Sequence, residues 1–257
     1  MKKSVVEKEL SRLEKKRAAY IQSYTQKREL APELAAKIPP QLRSTLNTAF
    51  TKAFELIFEK GTGLIDKTYN KENTRTQYEI NRYAAELRRN SKSLRAFQKQ
   101  TSGSGALSLL VSGAEGIGLG LLGCGLPDIP ILTAAILRSL YELATSYGYD
   151  YTRPEERRYI LLLIEGAMSY GDKLADCQRR LDALAHENNQ IDLDSLAAGV
   201  NSAASALADE MLFLKFVQGI PIVGVIGGIS NPIFLKRIRR FALLNYQYRL
   251  LVNIGWQ

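Results

Sequence analysis

Apolar positions recur at helical spacing through most of the chain. From Val6 they fall at Leu10, Leu13, Tyr20 and Tyr24, steps of three and four that draw one stripe along an amphipathic helix, broken at Arg17. Pro32 should stop this helix, and Pro39-Pro40 marks a second break. Residues 41–60 repeat the pattern through Leu42, Leu46, Phe50, Phe54, Ile57 and Phe58, and Gly61-Thr62-Gly63 is expected to close that element. A long polar helix is predicted over 64–100, with Ile80, Tyr83, Leu87, Leu94 and Phe97 on one side. Cations at Arg75, Arg82, Arg88, Arg89, Lys92, Arg95 and Lys99 cover the rest of its surface, as on a solvated helix face.

The pattern then changes. Residues 103–137 are apolar and glycine-rich, with Glu115 and Asp128 as their only charges, and 216–235 form a second uncharged run. Each is about the ~20 residues needed to cross a bilayer core. Glu115 makes the first costly to insert, and Pro221 and Pro232 break the second. Gly116 and Gly120, and Gly224 and Gly228, are GxxxG pairs that let helix backbones approach closely, in a soluble core as well as in lipid. Between the two runs, a helix should follow Arg138 and end at Tyr147-Gly148-Tyr149-Asp150. Thr152-Arg153-Pro154-Glu155 reads as a capping box for a helix continuing toward His186, and Ile191–Asp194 opens another through about Phe216. Lys236, Arg237, Arg239 and Arg240 begin a basic C-terminal helix. No alternating strand pattern with hairpin turns occurs, apart from a short extended piece at 220–225. The expected fold is all-α, a multi-helix bundle with two central Gly-rich apolar segments. A basic helical extension over 1–62 would precede the main domain, 63–257.

Charge sharpens the picture. The chain of 257 residues has a formal net charge of +9. Residues 1–100 hold 22 Lys+Arg against 11 Asp+Glu, 101–200 hold 7 against 13, and 201–257 hold 6 against 2. Segregated basic charge points to an anionic partner or to docking on the acidic middle. A composition of 46% hydrophobic and 24% charged residues excludes a disordered tail and a collagen-like chain. Cys124 and Cys177 stand alone, so zinc-finger and thioredoxin-like sites are excluded and a reducing compartment fits.

Catalytic signatures are sparse. Gly118-Leu119-Gly120-Leu121-Leu122-Gly123 matches GxGxxG but lacks the preceding strand that a dinucleotide site needs. His186 is the sole histidine, in a polar stretch. No HExxH, GxSxG, P-loop or EF-hand pattern is present, so chemistry would rest on carboxylates. Glu115, Asp128 and Asp150 are the candidates for such a cluster, holding a divalent ion or acting as an acid–base pair on a lipid-like substrate. The plainer reading of the ionisable residues in the apolar centre is helix caps plus an internal network, with Arg138 and Glu142 four apart on one face. No metal or cofactor is assigned.

Gly113-Ala114-Glu115-Gly116 through Gly123, then Leu126-Pro127-Asp128-Ile129-Pro130, Leu137-Arg138-Ser139 and Tyr147–Asp150, resemble the central signature of the EcsC family. Ile220–Gly224, Gly227-Gly228 and Asn231, followed by a basic helix with Phe241-Ala242 and Arg249-Leu250, resemble its second block. The resemblance covers roughly 80–255. It implies a helical bacterial protein, cytoplasmic and peripheral to or partly inserted in the membrane, and the family takes its name from a member encoded beside ABC-transporter subunits. It supplies no catalytic residues and no cofactor. Arg138, Glu142, Tyr147 and Asn231 would form a structural or functional polar network. The expected role is a non-enzymatic protein on an anionic membrane surface, with transporter subunits as further partners and nucleic acid disfavoured by the lack of a reading motif. Arg88, Arg89, Lys92, Arg95, Lys236, Arg237, Arg239 and Arg240 would hold the headgroups.

Overall fold

A computed structural model of the chain describes residues 4–25, 39–102, 128–186, 195–217 and 230–254. All regular elements among the described residues are helical, as the periodicity predicts: α1 Val5–Thr25, α2 Pro40–Leu56, a π turn Ile57–Gly61, α3 Thr62–Asp66, α4 Lys71–Arg88 and α5 Ser91–Ser102. After the first Gly-rich run come α6 Asp128–Ser146, α7 Pro154–Met168, α8 Gly171–Ala185, α9 Leu196–Val217 and α10 Ser230–Asn253. The protein is an all-α, multi-helix bundle. Both GxxxG pairs, Glu115, Cys124, the GxGxxG stretch and residues 220–225 lie outside the described residues. The side chains of Asp128, where α6 begins, and of Asn231 lie outside them as well.

Helix α7 is the hub. Pro154 occupies its first turn with Glu155 and Glu156, where a fixed φ and negative charge both suit a helix N-terminus. Every residue from Tyr159 to Met168 is buried, the mark of a helix enclosed on all sides. Helices α8, α9 and α10 pack around it. Helix α2 packs on α9 and also touches α6; its Phe50, Ala53 and Phe54, with Ile57 of the π turn, enter the same core as Leu140, Ile164, Leu207 and Phe241. Burial of each such large apolar side chain favours folding by roughly 1.5–3 kcal/mol. Helix α1 lies across α8 and α10, and its Tyr20 enters that core. Among the described residues, the core thus runs through both sides of the expected boundary at 62/63.

Five expectations need correction. Arg17 does not break the α1 stripe: Glu9, Leu13, Arg17 and Tyr20 are all buried along it. Arg17 donates to Asp182 and to Asn245 Oδ1 at 3.2 Å, while Glu9 accepts from Arg95 Nη2 at 2.8 Å. Gly61-Thr62-Gly63 does not end the second helix, which passes through the π turn into α3. The long helix over 64–100 is divided at Arg89, whose φ of 39° is left-handed, and Asn90 caps the next helix by accepting from Ser93 N at 2.9 Å. The helix predicted to run on to His186 is likewise divided, at Ser169–Tyr170. Thr152 is not an N-cap either. Arg153 holds that position without a side-chain cap, and Thr152 donates backwards to Asp150.

Candidate functional site

The basic start of α10 turns half inward. Lys236 and Arg240, four apart, are exposed, whereas Arg237 is only 7% exposed and leaves the expected cationic surface. Its Nη1 donates to Glu210 Oε1 at 2.6 Å and to the Tyr170 hydroxyl at 2.7 Å, and its Nη2 to Ser169 O at 3.0 Å. Tyr24 and Tyr170 cover the guanidinium, 4.2 and 4.4 Å from their ring centres. The position explains this: Arg237 lies three residues after Phe234 and four before Phe241, both buried, on the inward stripe of its helix. Arg239 is half-buried and donates to Ser139 Oγ at 3.1 Å. Burial lowers its basicity, partly offset by Glu142. Arg95, though exposed, is committed to Glu9.

Three members of the expected polar network, Arg138, Glu142 and Tyr147, lie among the described side chains. Arg138 sends its Nη2 to Thr68 O at 2.5 Å rather than closing an ion pair with Glu142. Burial raises Glu142 above the usual carboxylate range, against the pull of Arg239 and then Arg138. Tyr147 is buried, its ring edge-on to Phe97 and stacked with Tyr246. Asp150 is exposed and its Oδ1 accepts from Thr152 Oγ1 at 2.8 Å and Thr152 N at 3.0 Å. Partial burial works against its charge, but these bonds, with Lys71 and Arg153, hold it below the ordinary carboxylate range. That suits a turn-forming carboxylate more than a proton donor. Among the described residues, no group of His, Cys, Asp or Glu side chains is placed to hold a metal ion.

What the fold does assemble is a cleft between α4 and the Tyr147–Asp150 turn. It consists of two adjoining recesses of about 490 and 450 Å³ that share Tyr78, Arg82, Glu86, Gly148 and Tyr149. Lys71, Arg75, Tyr78, Arg82 and Arg89 line one wall, at steps of four, three, four and seven that set them on one side of α4 and its terminal turn. Arg75 Nε lies 3.5 Å from Glu79 Oε1, and Arg82 Nε donates to Glu86 Oε1 at 2.8 Å. The facing wall is Thr145, Gly148, Tyr149 and Asp150, with Asn253 at the α10 end. Gly148 has a φ of 81° and sits so close to the Tyr78 ring that an added Cβ would lie 2.4 Å from it, so only glycine allows the two walls to meet here. Behind the cleft, Arg249 stands 3.7 Å over the Tyr149 ring and donates to Glu156 at 2.6 Å. Burial pushes the Tyr149 hydroxyl up to about 12 despite that arginine, keeping it a neutral donor. Asp150, Tyr147 and Arg89 are legible in the sequence as candidates; Tyr78, Glu79, Glu86 and Tyr149 are not, although Tyr78 falls in the 71-75-78-82-89 spacing and Glu79 and Glu86 follow Arg75 and Arg82 by four residues.

The outer side of α4 is different again. Ile80, Tyr83 and Leu87 are 53%, 64% and 67% exposed. They recur at i, i+3 and i+7, nearly opposite Ala85, the residue this helix buries. Residues 71–102 carry eight Lys+Arg against three Glu.

No helix among the described residues is long and apolar enough to cross a membrane, and no solved structure matches the chain. Protein EcsC of Bacillus subtilis (strain 168) is 27% identical over 144 residues, an alignment that takes in 55% of this chain and 58% of that protein. The EcsC protein family model matches residues 4–251, from the residue before α1 to the last turn of α10, so the N-terminal helices fall within the match. The chain belongs to the EcsC protein family.

Proposed function

We propose that the protein attaches to the surface of an anionic membrane through the outer face of α4. The observation that carries this is the exposed row Ile80, Tyr83 and Leu87 on a segment of net positive charge. Apolar side chains on a surface helix gain by entering the headgroup region, and a tyrosine suits that depth. Arg88, Arg89 and Lys92 are exposed where α4 turns into α5 and complement acidic headgroups, each near-surface cation contributing about 1 kcal/mol. Lys236 and Arg240 remain available on α10; Arg237 does not.

Co-sedimentation with vesicles of phosphatidylcholine doped with phosphatidylglycerol tests the reading. Binding should rise with the anionic fraction and weaken with salt. Ile80→Asp with Leu87→Asp should abolish it while leaving the melting temperature unchanged, and Arg88→Glu with Arg89→Glu should reduce it at least tenfold. Binding untouched by both double variants, or none at low salt, would defeat the proposal.

A further inference from the structure

The cleft between α4 and the Tyr147–Asp150 turn lies on the flank of α4, sharing Tyr83 and Arg89 with the attachment face, whereas Ile80 and Leu87 lie outside it. Its chemistry is mixed. Lys71, Arg75, Arg82 and Arg89 face a space that also holds Glu79, Glu86 and Asp150. Cations slightly outnumber anions, which fits a ligand of low negative charge and not a polyanion such as a nucleic acid strand. Arg75 and Arg82 engage their glutamates through Nε, in exposed pairs of the kind that contribute little to stability. Their outer guanidinium nitrogens are suited to a phosphoryl oxygen, which they bind in forked geometry. The carboxylates accept hydrogen bonds from hydroxyl groups, and Tyr149 offers a hydroxyl of its own on the facing wall, while the Thr145 hydroxyl already donates to Tyr141 O at 2.8 Å. A phosphate ester of a polyol or sugar satisfies both halves of this lining, whereas inorganic phosphate satisfies one.

We infer that this cleft binds the phosphate monoester or diester of a polyhydroxylated compound, with Arg75 and Arg82 on the phosphoryl group and Glu79, Glu86 and Asp150 on the hydroxyls. The same chemistry exists in a free polyol phosphate and in a glycerophosphate headgroup.

Isothermal titration of the full chain with glycerol 3-phosphate and with glucose 6-phosphate tests the site. One of them should bind saturably at one site per chain, and more tightly than inorganic phosphate by at least tenfold. Arg82→Ala and Arg75→Ala should each weaken it at least tenfold without shifting the melting temperature, while Arg179→Ala, a remote exposed arginine, should leave it unchanged. Ile80→Asp with Leu87→Asp should also leave it unchanged, which separates this site from membrane attachment. Competition by phosphatidylglycerol vesicles would identify the headgroup as the natural source, and its absence would identify the free ester. No saturable binding of either ester at millimolar concentration would overturn the inference. So would equal affinity for inorganic phosphate, or indifference to both cleft substitutions.

Discussion

Gly148 and Gly166 are positions where one methyl group would strike a ring. At Gly148 the left-handed φ and the Tyr78 ring both oppose a side chain, so Gly148→Ala should cost about 1–3 kcal/mol in urea unfolding. Adding Tyr78→Ala should return the steric part, a coupling that a double-mutant cycle would detect. Gly166 lies in the last turn of α7, where alanine would ordinarily be favoured over glycine by up to ~1 kcal/mol. Here its Cβ would meet Phe241 at 2.8 Å and Cys177 at 3.1 Å, so Gly166→Ala should destabilise. Cys177 itself is buried, and loss of hydration, followed by Glu165, pushes its thiol up to about 12. In a Cys124→Ser background, Cys177 should therefore resist iodoacetamide at pH 8 in the native protein and react on unfolding, as read by mass spectrometry.

Helix identity was legible from periodicity, and helix ends were less so. The break after α4 rests on Arg89 and Asn90, and only Asn90 carried a sequence signal: an asparagine one residue before a helix that it caps. Arg17 and Arg237 were misread for the same physical reason. Each is a charge on an apolar stripe, made tolerable by partners 165 and 27 residues away, which local spacing does not reveal. The cleft was half visible, since its turn stood out as Tyr147-Gly148-Tyr149-Asp150 but the opposing wall read as an ordinary solvated face. Arg82→Ala should change stability by no more than about 0.5 kcal/mol, because its pair with Glu86 is exposed.

Across the described helices, ion pairs with at least one enclosed partner join elements distant in sequence: Arg237 with Glu210 links α10 to α9 and Arg249 with Glu156 links α10 to α7, both buried, and Arg17 with the partly exposed Asp182 links α1 to α8. Removing one partner strands the other in a poor solvent. Glu210→Ala should cost about 3–5 kcal/mol, and replacing Glu210 and Arg237 together with methionine should recover much of that in denaturant titrations. Helix α4 takes no part in these pairs. It fully buries Ala85 alone, whereas α7 is enclosed from Tyr159 to Met168. Amide hydrogen exchange should accordingly divide the protein, with α4 opening locally at a free energy well below that of global unfolding and α7 exchanging only when the whole chain opens. A bilayer beneath α4 would then slow exchange over residues 78–88 and leave the amides of α7 at the global rate.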